Sequence, residues 1–149
     1  MHKQLLLGVL AAAGVTAAIF ITGSASGSAA KTITFVHVQT SFSAPDNRTR
    51  PPRGGDRFTF TNDDLAGGKK IGHDQISCIA VSPHSAQCSA TFLLRDGEIA
   101  AAGALPLNPT PKVVILAITG GTGDFAGAHG SLTSTSLSQT RSALALHLL

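Results

Sequence analysis

From Lys31 onward the chain runs in short apolar and polar alternations separated by clusters of Gly, Pro, Asn and Asp, and sustained 3.6-residue periodicity is hard to find. Alternation of that kind marks half-buried strands, and the clusters between them mark turns. The pattern predicts eight strands, over Thr32–Ser41, Arg57–Asn62, His73–Val81, Cys88–Leu94, Glu98–Leu105, Lys112–Thr119, Ser131–Leu137 and Ala143–Leu148. Most of the links, including "AGGKK", "SPHSA", "RDG" and "SQTR", are short enough for hairpins, so consecutive strands are expected to be antiparallel neighbours. An eight-stranded meander escapes open edges by closing into an all-β antiparallel barrel, whose interior fills with side chains or holds one small ligand. A two-sheet sandwich is the alternative.

Strand parity places Phe35, His37 and Gln39 on one face of the first strand and Phe58, Phe60 and Asn62 on one face of the second. Each set joins aromatic bulk to one or two polar groups, the usual make-up of a small-molecule site. A filled core is the competing reading, with the phenylalanines simply packing and Asn62 bonding backbone. The run "VVILAI" lacks polar alternation, so both faces of its strand are expected to be buried, the outer one against a second subunit, a loop or a terminal segment. A homo-oligomer, dimer or trimer, is the preferred cover.

The first thirty residues read as a secretory signal peptide: "MHK", an apolar run from Leu5 to Ile21, then small residues suited to cleavage before Lys31. An uncleaved anchor is the alternative, since the run is only just short of a spanning helix. Either way residues 31–149 form one domain outside the cytoplasm, and removal of the leader leaves no membrane segment. The formal net charge is +3, and losing Lys3 with the leader lowers it by one. That balance carries no nucleic-acid footprint. Arg48, Arg50, Arg53 and Arg57 do cluster, but Pro51, Pro52, Gly54, Gly55, Asp46 and Asp56 interrupt them, and the segment reads as a solvated loop.

An exported chain with two cysteines points to one disulfide. If the hairpin through "SPHSA" is centred on Pro83, Cys78 falls opposite Cys88, within the reach of a disulfide. Two free buried thiols are the alternative. His73, His84, His129 and His147 lack the paired spacing of zinc ligands, and no metal site is expected. His73 and Asp74 are adjacent on a strand and so point to opposite faces. No nucleophile elbow or catalytic-cysteine motif occurs.

The stretch "ITGGTGDFAGAHG" satisfies the looser G-x-G-x-x-A pattern after a strand, yet "SLTSTSL" follows it, which is strand material. A dinucleotide fingerprint must open a helix to hold its pyrophosphate, so nucleotide binding is excluded. Gly120, Gly121, Gly123, Gly127 and Gly130 are read instead as a structural turn between barrel strands. Phe125 is expected to plug one end of the core, and Asp124 to hold the turn through side-chain to backbone hydrogen bonds.

That loop resembles the "GGTGDF" signature of plant dirigent proteins and the "AITGGxGxFxGAxG" segment of plant allene oxide cyclases. Upstream, "GDRFTFTNDDLAGGKKIG" and "SCIAV" are also similar to the cyclase family, so the resemblance spans most of Arg53 to Leu132. The chain is identified as a bacterial-type, secreted member of the allene oxide cyclase barrel-like superfamily, which implies an eight-stranded antiparallel barrel around an apolar cavity.

Plant allene oxide cyclases close an unstable fatty-acid epoxide into a cyclopentenone by shaping it inside a greasy barrel. The resemblance implies Asn62 as the family's cavity asparagine and Cys78 as its cavity cysteine. The register places His37 and Gln39 where that family has a glutamate and an asparagine, so its catalytic acid is unmatched. The dirigent comparison likewise finds Leu105 where that family has an aspartate, Lys112 as the nearest cation, and His129 in place of an arginine. Histidine as a residue type suits general acid or base work near neutrality, so His37, with Asn62, is the candidate catalytic group. Phe35, Gln39, Phe58, Phe60 and Cys78 are the candidate ligand-binding residues. The expected function is binding of a small apolar molecule, with cyclisation or stereochemical direction of its coupling and no cofactor; a non-catalytic lipophile carrier or structural oligomer is the alternative.

Overall fold

A computed structural model describes residues 30–45, 50–107 and 109–149. The expected leader lies outside the described residues save for Ala30, as does Arg48 of the basic segment. The strands are β1 (Lys31–Ser43), β2 (Arg57–Ala66), β3 (Lys69–Ser82), β4 (Ser85–Leu94), β5 (Gly97–Pro106), β6 (Val113–Gly121), β7 (Gly130–Ser138) and β8 (Arg141–Leu148). They close in chain order into an antiparallel barrel in which β1 pairs with β8. Closure rules out the sandwich. All eight expected strands are present, and several run longer than their periodicity indicated. Gly67–Gly68 and Pro83–His84 form two-residue turns, so "AGGKK" and "SPHSA" give most of their residues to the flanking ladders.

An antiparallel meander sorts its connections by end. The β1–β2, β3–β4, β5–β6 and β7–β8 links share one end, and the remaining links share the other with both chain ends. At the first end the long β1–β2 loop is tied down. The Arg50 guanidinium donates to both oxygens of Asp56 at 2.7 and 3.0 Å, and the Arg53 amide donates to the same carboxylate at 2.9 Å. These donors, Arg50 foremost, hold the Asp56 pKa down to about 2. Backbone bonds between Gly55, Asp56 and Ala80 fasten the loop to the end of β3. The part of the basic segment within the described residues is therefore an anchored loop.

The opposite end is filled. Phe92, Ile99 and Leu146 are fully buried there, and the Phe35 ring stands edge-on to Phe92 with centroids 5.8 Å apart. Burying side chains of this size stabilises the fold by about 1.5–3 kcal/mol each. Phe125, on a 3-10 turn over Gly123–Phe125, is buried in the same cluster, with the Lys31 ammonium 5.7 Å from its ring centre. Gly123 has φ 59°, and a Cβ there would run into the carbonyl of Asp96; one on Gly121 would strike the carbonyls of Phe125 and Glu98. These two glycines are backbone requirements of the plug. No α-helix follows, because β7 begins at Gly130.

One expectation needs correction. The Asp124 side chain makes no hydrogen bond among the described residues. The turn is held by its backbone, through Asp124 N to Asp96 O at 2.9 Å and Phe125 N to Thr122 O at 3.0 Å. The β4–β5 link and the 3-10 turn itself already satisfy these donors, so the carboxylate is left to solvent. On β6, Leu116 and Ile118 are buried inward, and within the single chain Val113 and Ile115 are 46% and 66% exposed on the outer face. No described loop or terminus of this chain covers that face.

Cys78 and Cys88 lie directly opposite each other across β3 and β4 and are joined by a disulfide, with Cα atoms 4.1 Å apart. The Pro83–His84 turn pairs Ser82 with Ser85, and a one-residue register shift between Ala80 and Ser82 then brings Cys78 opposite Cys88.

Candidate functional site

The lumen is neither wholly filled nor wholly hollow. Above the packed end lies a cavity of about 300 Å³ that opens toward the β5–β6 loop and the β7–β8 turn. His37, Gln39, Phe60, Asn62 and the Cys78–Cys88 disulfide line it. Phe35 and Phe58, expected beside them, do not. Phe35 belongs to the packed end against Phe92, and Phe58 packs against the cluster of Cys78, Ala86 and Cys88. Parity placed both rings inward correctly, but depth along the barrel axis decides which inward residues meet the open space.

The polar centre of the wall spans three adjacent strands. Asp74 of β3 is fully buried, and its two oxygens take two partners: His37 Nδ1 lies 3.2 Å from Oδ2, and Asn62 Nδ2 donates to Oδ1 at 2.5 Å. Asn62 on β2 is paired with Gln39 of β1 on one side and with Asp74 of β3 on the other. The His37 side chain is 14% exposed, so it reaches the cavity while Asp74 stays behind it. A carboxylate that only accepts fixes the proton of His37 on Nδ1 and leaves Nε2 as the basic ring nitrogen.

A second carboxyl, Asp64 of β2, is also fully buried, and neither of its oxygens has a hydrogen-bond partner among the described residues. Burial, and after it the negative charge of Asp74, push its pKa up to about 8. At neutral pH Asp64, beside Asp74, therefore keeps its proton. Together with His37 they put a proton acceptor and a proton donor close to one apolar cavity. A buried carboxyl with a strongly raised affinity for its proton, beside a histidine-bound carboxyl, is a common basis for acid–base chemistry.

Sequence reasoning missed both acids. Asp74 was seen only beside His73, which is exposed on the outer face. Its partner is on β1, two strands away, and only the closed register brings them together. The signal that could have found Asp64 is parity, because Phe58, Phe60 and Asn62 lead to it in steps of two. The neighbouring Asp63 points outward and binds Lys70 at 2.6 Å. β1 itself carries no acid, but acids on the second and third strands stand behind the same wall. Among the described residues no cluster of His, Cys, Asp or Glu could hold a metal ion.

No match was found among curated proteins. Among solved structures, one described as pyocyanin demethylase superposes with a TM-score of 0.72 at 27% identity, covering 80% of this chain and 100% of its own. The exo-specific intermolecular Diels–Alderase AbnU matches with a TM-score of 0.64 at 16% identity over 81% of this chain and 98% of that one. The pterocarpan synthase dirigent protein GePTS1 gives 0.62 at 14% identity over 80% and 82%. These last two likenesses are of fold. The profile described as the allene oxide cyclase barrel like domain matches residues 35–148, from the middle of β1 to the end of β8. A match of that extent, on a barrel closed in the order described, makes this chain a member of the allene oxide cyclase barrel-like family.

Proposed function

We propose that this protein takes a small apolar molecule into its barrel and rearranges it by proton transfer, as an intramolecular cyclase or isomerase whose wall also directs stereochemistry. The observation that carries this reading is the convergence of His37 and Asn62 on the buried Asp74 at the edge of an open cavity. His37 Nε2 exchanges a proton with the ligand, Asp74 orients and stabilises the imidazolium that forms, and Asn62 fixes Asp74. The apolar wall holds the ligand in a reactive conformer and excludes water, so shape supplies part of the rate. The relative at 27% identity is by its description an enzyme acting on a small molecule, pyocyanin, which supports the use of such a barrel for chemistry.

Export belongs to the same reading, supported by the apolar leader and by a disulfide of the kind that persists in oxidising compartments. Association through the exposed Val113 and Ile115 also belongs to it.

The test is a paired assay: an unsaturated epoxide, whose closure is followed by chiral chromatography, and a phenoxy-radical coupling scored for product handedness. Wild-type protein is expected to accelerate or bias one of them, and His37→Gln to lose the effect. Binding without turnover, unchanged in His37→Gln, would favour the carrier reading instead.

A further inference from the structure

The cavity wall is one-sided in charge. Besides His37, its ionisable lining residues are Lys112 and Arg141, and no carboxylate lines it among the described residues. Neither cation is in an ion pair among the described residues, where the pairs are His37–Asp74, Arg50–Asp56 and Lys70–Asp63. Both are held beside one short stretch of β7. The Ser136 amide donates to the Lys112 carbonyl at 2.8 Å, and Arg141 is paired with Ser138 across the β7–β8 hairpin. The half-buried hydroxyls of Ser134 and Ser142 also line the cavity, with no side-chain hydrogen bond among the described residues.

We infer that the ligand of this lumen carries an anionic oxygen group, of the carboxylate or sulfonate class, held at the mouth by Lys112 and Arg141, with Ser134 and Ser142 as hydroxyl donors on the wall. Two unpaired cations at the opening of a low-dielectric pocket focus their field on whatever enters and form charge-assisted bonds to an oxyanion. Apolar wall continues below, through Leu132 and Phe92. An anion fixed at the mouth therefore sends the apolar body downward past His37. Lys112 and Arg141 thus act as specificity residues, setting which atoms of the ligand come beside the imidazole. The inference rests on the lumen being the ligand site, as proposed above.

The experiment measures calorimetric affinity for 2-naphthoate, 2-naphthalenesulfonate and the neutral 2-naphthylmethanol, with dodecanoate and 1-dodecanol as a straight-chain pair. Wild-type protein and the Lys112→Gln/Arg141→Gln variant are compared at low and high salt. Because both side chains are exposed, the double variant keeps the fold. The expected result is that anions bind about tenfold more tightly than their neutral counterparts at low salt, and that high salt or the double substitution erases this preference. The neutral probes bind both proteins alike. Equal binding of anion and alcohol, or a preference that survives the double substitution, overturns the anion inference and leaves the lumen reading standing. Absence of all binding, or binding untouched by Val114→Trp, which obstructs the cavity, overturns the lumen reading and this inference with it.

Discussion

His37 and Asp74 meet at 3.2 Å although a whole strand, β2, runs between theirs. The contact exists because successive inward side chains on a twisted, closed sheet converge, and Asn62 on the intervening strand completes it by donating to the other oxygen of Asp74. A carboxylate buried this completely holds the imidazole in one tautomer.

Asp74→Asn keeps the shape but offers His37 an amide that can donate as well as accept. The His37 ring is expected to lose its single tautomer, which ¹⁵N chemical shifts of the imidazole would report. Turnover of an identified substrate should fall by about 10²–10⁴-fold. Unchanged shifts and rate would show that Asp74 has no hold on the ring.

Asp64 makes stability depend on pH in an unusual direction. Its folded-state pKa, about 8, lies above the ordinary aspartate value of 3.8, so between these limits the folded chain holds a proton that the unfolded chain has released. Its contribution is present at low pH and is lost as pH rises through the folded value. Asp64→Asn, neutral and of the same shape, should therefore gain in melting temperature relative to wild type on going from pH 5 to pH 8.5. A constant difference between the two proteins across that range would contradict the assignment of the proton.

Cys78→Ser should lower the free energy of unfolding by about 2–4 kcal/mol in denaturant titrations under non-reducing conditions, with Cys88→Ser alike. The double substitution should cost little more than either single one, because both remove the same link.

Gly123→Val places a β-branched side chain at φ 59° and against the carbonyl of Asp96. The expected outcome is loss of the plug: a cost of about 1–3 kcal/mol from backbone strain alone, and fast amide exchange in β6 and β7. Wild-type stability with altered ligand affinity would instead assign the loop to the binding site.

Turn chemistry makes the barrel readable from the chain alone. Two-residue hairpins at Gly67–Gly68 and Pro83–His84 leave antiparallel order as the natural outcome, and parity alone directs His37 and Asn62 inward. The site was only half readable for the same reason. Parity says which way a residue points within its own strand, whereas the link from His37 to Asp74 depends on the register of two successive pairings. In linear reading Asp63 and Asp64 look alike, yet one pairs with Lys70 in solvent and the other is buried with a proton. Nor does an apolar run such as "VVILAI" reveal which of its faces the chain itself covers; in one subunit Val113 and Ile115 remain outside.

Phe125 stoppers the barrel at the end away from the opening. The lumen is therefore a blind alley: whatever goes in must back out by the route it arrived on, and two molecules cannot pass each other. Each visit has to finish before the next begins, so under the proposed chemistry a slow-leaving product would compete with its own precursor.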